Sequence, residues 1–130
     1  MTLFVDTSGI LALVDRDDPD HTGVVEAFAL GRTEALRTHT YIVMETLAVA
    51  RRRFGAAVAA DIVDRVLPAI TISPVDAELH AASMADFRDA ITSSVSLVDR
   101  TSFAFMRREG LDRAIALDAD FRTAGFVTLP

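Results

Sequence analysis

The stretch Leu3–Ile10, reading LFVDTSGI, decides how the rest of the chain is understood. Leu3, Phe4 and Val5 form a short apolar, β-prone run that stops at Asp6 and passes through Thr7 and Ser8 to Gly9. It reads as a buried strand that delivers a carboxylate into a turn. In open α/β sheets ligands bind beyond the carboxyl ends of the strands, which is where Asp6 and its two hydroxyl neighbours would project. The competing reading is local: Asp, Thr and Ser are all good helix N-caps, and Asp6 alone does not separate a cap from a site.

Working outward, the pattern alternates between β and α. Gly9 to Val14 reads as a short helix, Asp15 to His21 (DRDDPDH) as a polar, Pro-broken loop with Asp18 or Asp20 as a cap, and His21 to Leu30 as a helix with Val24, Val25, Phe28 and Ala29 on one face. A strand near Ala35 to Thr38 precedes a helix from Tyr41 to Phe54, capped by Thr40 and closed by Gly55. A second helix runs from Ala56 to Val66, then Ile70 to Ile72 reads as a buried strand and Asp76 opens a helix that fades near Asp89. Ser96 and Asp99 have capping-box spacing before an amphipathic helix that ends at Gly110. Ala114 to Leu117 is a strand ending in the sequence LDADF, and Phe126 to Leu129 is the last strand. Strands separated by helices imply right-handed crossovers and a central, mostly parallel sheet in an α/β fold with helices on both faces.

Composition narrows the function classes. At 130 residues the chain is expected to be one domain with a core that needs no disulfide or structural zinc. It contains no Cys, which excludes thiol nucleophiles and thiolate metal sites and is compatible with a reducing cytoplasm. There is no signal-peptide pattern and no apolar run long enough for a membrane span, so a cytoplasmic protein is expected. All 13 basic residues are Arg, which bars chemistry that needs a lysine. The hydrophobic share of 51% and mean hydropathy of +0.31 are high for so small a domain and point to an apolar surface that meets a partner. A net charge of −6 argues against holding nucleic acid by bulk positive potential, but not against a contact made through a bound cation.

The acidic residues fall in a telling pattern. Asp6 and Asp118 both follow strands, and a parallel sheet would bring them to the same edge. Glu45 and Asp99 lie near helix starts in apolar surroundings, where an unpaired carboxylate is costly. Four such groups converging would raise one another's pKa unless a cation sat between them, and hard oxygen ligands favour magnesium or manganese. A site of this kind suits phosphodiester hydrolysis by an activated water. Singly, each acid has a local explanation: Asp99 as a capping-box acid, Glu45 facing solvent, Asp118 and Asp120 capping the turn before Phe121. His21, His39 and His80 have no ligand spacing and read as loop or surface residues. Arg52 lies seven residues from Glu45 on the same helix face and is a candidate phosphate contact.

FVDTSGILALVD at the start, Glu45 within VMETLAV, SLVDRTSF around Asp99 and ALDADFRTAGF at the end together resemble the PIN domain, and within it the VapC toxins of bacterial toxin-antitoxin pairs. The resemblance spans nearly the whole chain and implies a single PIN domain over residues 1–130, a three-layer α/β/α sandwich. It further implies a magnesium-dependent endoribonuclease, with manganese as a substitute, whose catalytic and metal-binding quartet is Asp6, Glu45, Asp99 and Asp118. Thr7, Ser8 and Thr101 match positions that often carry hydroxyls, and Asp120 is an accessory candidate. By the same resemblance a VapB-like antitoxin inserts a segment into the active-site groove and the toxin is a homodimer. Arg100 stands where relatives commonly have a small residue or Cys; its side chain could reach substrate phosphate or pair with a carboxylate.

Two other functions compete. One is an aspartyl-phosphate phosphotransferase using Asp6, although DTSG lacks a second Asp and the chain lacks Lys. The other is a non-catalytic PIN-fold binding scaffold.

Overall fold

The computed structural model describes all residues, 1–130. The chain order is β1 (Thr2–Val5), α1 (Thr7–Val14), α2 (His21–Ala29), β2 (Ala35–His39), α3 (Thr40–Phe54), α4 (Ala56–Asp61), β3 (Thr71–Ser73), α5 (Ala77–Asp89), α6 (Leu97–Glu109), β4 (Arg113–Ile115), α7 (Ala119–Thr123) and β5 (Val127–Leu129). The five strands form one sheet in the order β3-β2-β1-β4-β5, and every pairing is parallel. The sheet is therefore wholly rather than mostly parallel. It is the middle of the expected three-layer α/β/α sandwich.

Leu3, Phe4 and Val5 are fully buried because β1 is the central strand and both of its faces are covered, which is why its sequence is a continuous apolar run instead of an alternation. Phe4 meets Phe105 of α6 and Phe121 of α7 at ring-centroid distances of 5.9 and 6.2 Å, and Phe103 meets Phe121 edge-on at 5.0 Å. The chain runs outward from β1 through β2 to β3, then returns to the other side of β1 with β4. The crevice where that reversal occurs lies between the carboxyl ends of β1 and β4, the position at which parallel sheets bind ligands. Register fixes it: Val5 pairs with Ile115, and the Asp6 amide donates to the Ile115 carbonyl at 3.1 Å.

Several local expectations are corrected. α1 begins at Thr7, two residues early, because Asp6 is itself the N-cap. His39, not Thr40, caps α3: its Nδ1 accepts from the Ile42 amide at 3.4 Å, while the Thr40 hydroxyl accepts from the Val75 amide at 3.1 Å. Val25 is 43% exposed, so α2 buries Val24 and Ala27 and not the broader face. The helix expected to run unbroken to Val66 loosens after Asp61 into a π turn, Ile62–Val66, and a 3₁₀ turn, Leu67–Ala69, set by Pro68, which lacks an amide proton. β3 is a sheet edge with Thr71 and Ile72 exposed, not a buried strand. His39 is buried completely among Phe4, Tyr41 and Phe105, with Nε2 2.9 Å from the Ser102 hydroxyl, and burial lowers its pKa to about 4. His21 is half-buried, with Nδ1 2.8 Å from the Ala12 carbonyl oxygen, and His80 is exposed against Tyr41. No helix is long and apolar enough to cross a membrane.

Candidate active site

A cleft of about 340 Å³ opens at the β1/β4 crevice. Asp6 and Thr7 enter it from the end of β1, Glu45 from α3, Asp99 from α6 and Asp118 and Asp120 from the turn after β4. All four carboxylates expected from the sequence line this one cleft, together with Ser8, Ser94 and Ser96.

Each acid is set by its element. Asp6 both caps α1 and lines the cleft, so the cap does not remove it from the candidate site. Its Oδ2 accepts from the Ser8 amide at 3.1 Å and from the Ser8 hydroxyl, while Oδ1 is buried with no partner. Ser96 caps α6 by accepting from the Asp99 amide at 3.1 Å, which holds Asp99 in the first turn near the positive end of the helix. Asp118 caps α7, accepting from the Asp120 amide at 2.9 Å. On α3, the turn bearing Glu45 is tied to α1 by the buried Thr46 hydroxyl, which donates to the Thr7 hydroxyl at 3.1 Å.

The electrostatics are those of an acidic cluster short of positive charge. Burial, opposed by the Ser8 hydrogen bonds and reinforced by Glu45, raises the Asp6 pKa from 3.8 to about 6. Asp99 is held higher still, first by burial and then by the charges of Asp6, Asp118 and Glu45 and a hydrogen bond to Asp118. One oxygen each of Asp99, Asp118 and Asp120 can be chosen so that all lie within 4.8 Å of one another. An all-oxygen donor set, an orphaned carboxylate oxygen on Asp6 and carboxyls that resist ionising together fit a small hard divalent cation.

The remaining candidates separate. Thr101 does not line the cleft: it is buried and its hydroxyl donates to the Leu97 carbonyl within α6 at 2.9 Å. Arg52 is exposed in the last turn of α3, outside the cleft lining. Arg100 makes no ion pair with the acids; it turns into a neighbouring cleft, with a buried Nε that has no partner. Asp120, ranked only as accessory from sequence, joins the tightest carboxylate group. Ser94 and Ser96 were missed as cleft residues because their visible signal was a loop and a cap.

The PIN-domain sequence profile matches residues 3–127. The chain belongs to the PIN-domain family. Among its PIN-domain relatives, a 23S rRNA-specific endonuclease of Mycobacterium tuberculosis, VapC20, is 35% identical over 127 residues, covering 96% of this chain and 95% of the relative. The crystal structure of M. tuberculosis VapC20, described as a sarcin-ricin loop cleaving toxin, superimposes with a TM-score of 0.87 at 32% identity, covering 98% of this chain and 99% of that one. VapBC2 from Rickettsia felis, bound to a promoter DNA fragment, shares the fold with a TM-score of 0.73 at 8% identity, over 100% of both chains.

Proposed function

We propose that this PIN-domain protein is a VapC-type endoribonuclease toxin that uses magnesium, with manganese as a substitute, to hydrolyse RNA phosphodiester bonds at the Asp6–Glu45–Asp99–Asp118 cleft. The observation that carries the reading is the convergence of carboxylates from four separate parts of the chain on one crevice, with a buried, unpaired oxygen on one of them, Asp6 Oδ1. A bound divalent cation would supply positive charge for a phosphate oxygen and a lowered pKa for water. Asp99, Asp118 and Asp120 would hold it, Asp6 would complete the set from the strand end, and Glu45, in the same cleft, would accept the proton of the attacking water. Ser8 orients the Asp6 carboxylate, and Thr7 ties the turn bearing Glu45 to α1 through the Thr46 hydroxyl. An aspartyl-phosphate route through Asp6 is disfavoured, because DTSG places no second Asp beside it and the chain has no Lys.

The similarity to VapC20 supports 23S rRNA as the substrate, and the VapBC neighbours support a VapB-like antitoxin as partner. Exposed Met44, 68% accessible and beside Glu45, with Val25 and Leu30 on the α2 side, supplies apolar surface for the antitoxin and for a homodimer. The cytoplasm, where ribosomes and the antitoxin meet the chain, is the compartment that this reading requires.

The test is primer-extension mapping of ribosomal RNA incubated with antitoxin-free protein in magnesium. Cleavage at one site in the sarcin-ricin loop of 23S rRNA is expected. Dispersed cuts across both ribosomal RNAs would overturn the substrate assignment.

A further inference from the structure

Next to the acidic cleft lies a second one of about 310 Å³, separated from it by Asp120, which lines both. The wall is continuous: within one loop Ser93 and Val95 face the second cleft while Ser94 and Ser96 face the first, and Arg100 follows Asp99 directly in α6. Arg100, Phe103 and Arg107 recur at helical spacing and form its floor. Asp86, from the end of α5, stands at its rim.

The two arginines differ in what they have left to bind. Arg107 is pinned, donating to the Ala124 carbonyl at 3.2 Å and lying 5.5 Å from the Phe126 ring centroid. Arg100 has no ion pair, and its buried Nε has no acceptor, a loss that a folded protein normally avoids. Nε is enclosed by protein, so what Arg100 offers a ligand in the cleft is its terminal N–H groups, which have no protein acceptor, in a lining that also carries the Asp86 carboxylate.

We propose that this cleft is a nucleotide subsite that seats one unpaired guanine next to the scissile phosphodiester. Guanine combines an edge with two acceptors, O6 and N7, with an edge bearing two donors, N1–H and the N2 amino group. Arg100 matches the first edge as a bidentate donor and Asp86 the second as an acceptor. Adenine carries a donor where guanine has O6, and the pyrimidines lack N7. Single-stranded bases splayed from the backbone are the usual object of sequence-specific RNA recognition, and a cleft at the low end of ligand-pocket volumes has room for one. The inference rests on the endoribonuclease reading for its substrate, but its test does not depend on cleavage.

The four ribonucleoside 5′-monophosphates carry no diester to cut, so they serve as probes with the full chain in magnesium buffer, titrated by calorimetry or NMR. GMP is expected to bind about tenfold or more tightly than AMP, CMP or UMP. Arg100→Lys, which keeps the charge and removes the fork, and Asp86→Asn, at an exposed position, are each expected to bring GMP down to the level of AMP. Equal binding of all four nucleotides, no saturable binding, or variants that retain the GMP preference would overturn the proposal. GMP selectivity in a protein that cuts no RNA would leave the subsite standing and remove the nuclease reading; RNA cleavage without GMP selectivity would do the reverse.

Discussion

The Ser8 hydroxyl accepts a hydrogen bond from the Leu117 amide at 3.0 Å while donating its own proton to Asp6 Oδ2, so one side chain ties the end of β1 to the segment after β4. These are the two chain segments that carry Asp6 and Asp118. Ser8→Ala removes a contact that favours ionised Asp6 and leaves the Leu117 amide without its acceptor. The expected result is a loss of about 1–3 kcal/mol in stability and a fall of roughly 10–100-fold in magnesium affinity or activity. Urea denaturation and a magnesium titration of the cleavage rate measure the two effects; wild-type values in both would refute the role.

Gly9 is required by the same junction. A Cβ there would stand 2.8 Å from the Ile115 carbonyl oxygen and 2.9 Å from its Cγ2, so α1 could not approach β4 as closely. Alanine gains up to about 1 kcal/mol of helix propensity but the crowding costs roughly 1–3 kcal/mol. Gly9→Ala is therefore expected to lower the urea midpoint. A variant more stable than wild type would show that the junction gives way easily.

Two buried groups make opposite contributions to the pH dependence of the metal-free protein. Folded Asp6 keeps its proton up to about pH 6, whereas the unfolded residue loses it near 3.8, so this group's contribution falls as pH rises through that window. Folded His39 stays neutral down to about pH 4, whereas the unfolded residue is protonated below 6.5, so its contribution grows with pH over nearly the same window. Each effect is on the order of 3 kcal/mol, and they largely cancel. Asp99 has no such counterweight: its pKa is raised from 3.8 to about 8, so its contribution falls over the whole range from about pH 4 to 8. The Tm in EDTA should therefore decline from about pH 4 to about pH 8, with magnesium raising it far more at pH 8 than at pH 5. A Tm that climbs above pH 6.5 in EDTA, or equal magnesium stabilisation at both pH values, would contradict the account.

The strand-end acids were legible because their signals are local and repeated: an apolar run, then Asp, then hydroxyl or capping residues, at both Asp6 and Asp118. The cap and the cleft do not compete for Asp6, since capping occupies Oδ2 and leaves Oδ1 without a protein partner. His39 was misread because nothing in its neighbours' periodicity reveals that β2 delivers it against Phe4 and Phe105; that burial is tertiary. β3 reads as buried because two isoleucines flank Thr71, yet its exposure depends on sheet order, which sequence does not encode locally. Asp120 and Arg100 are visible in the sequence but not placeable, since an acid or a base one or two residues from a site residue can face either side of its element until the neighbouring element is known.

Cleavage of RNA by purified, antitoxin-free protein in magnesium, compared with EDTA and with Asp99→Asn, tests the central claim most directly. The account expects discrete products that vanish with the chelator, return with added magnesium or manganese, and are reduced by several orders of magnitude in folded Asp99→Asn protein. Cleavage that persists in EDTA and in the variant, or a folded, metal-loaded wild-type protein that cuts no RNA, would contradict it.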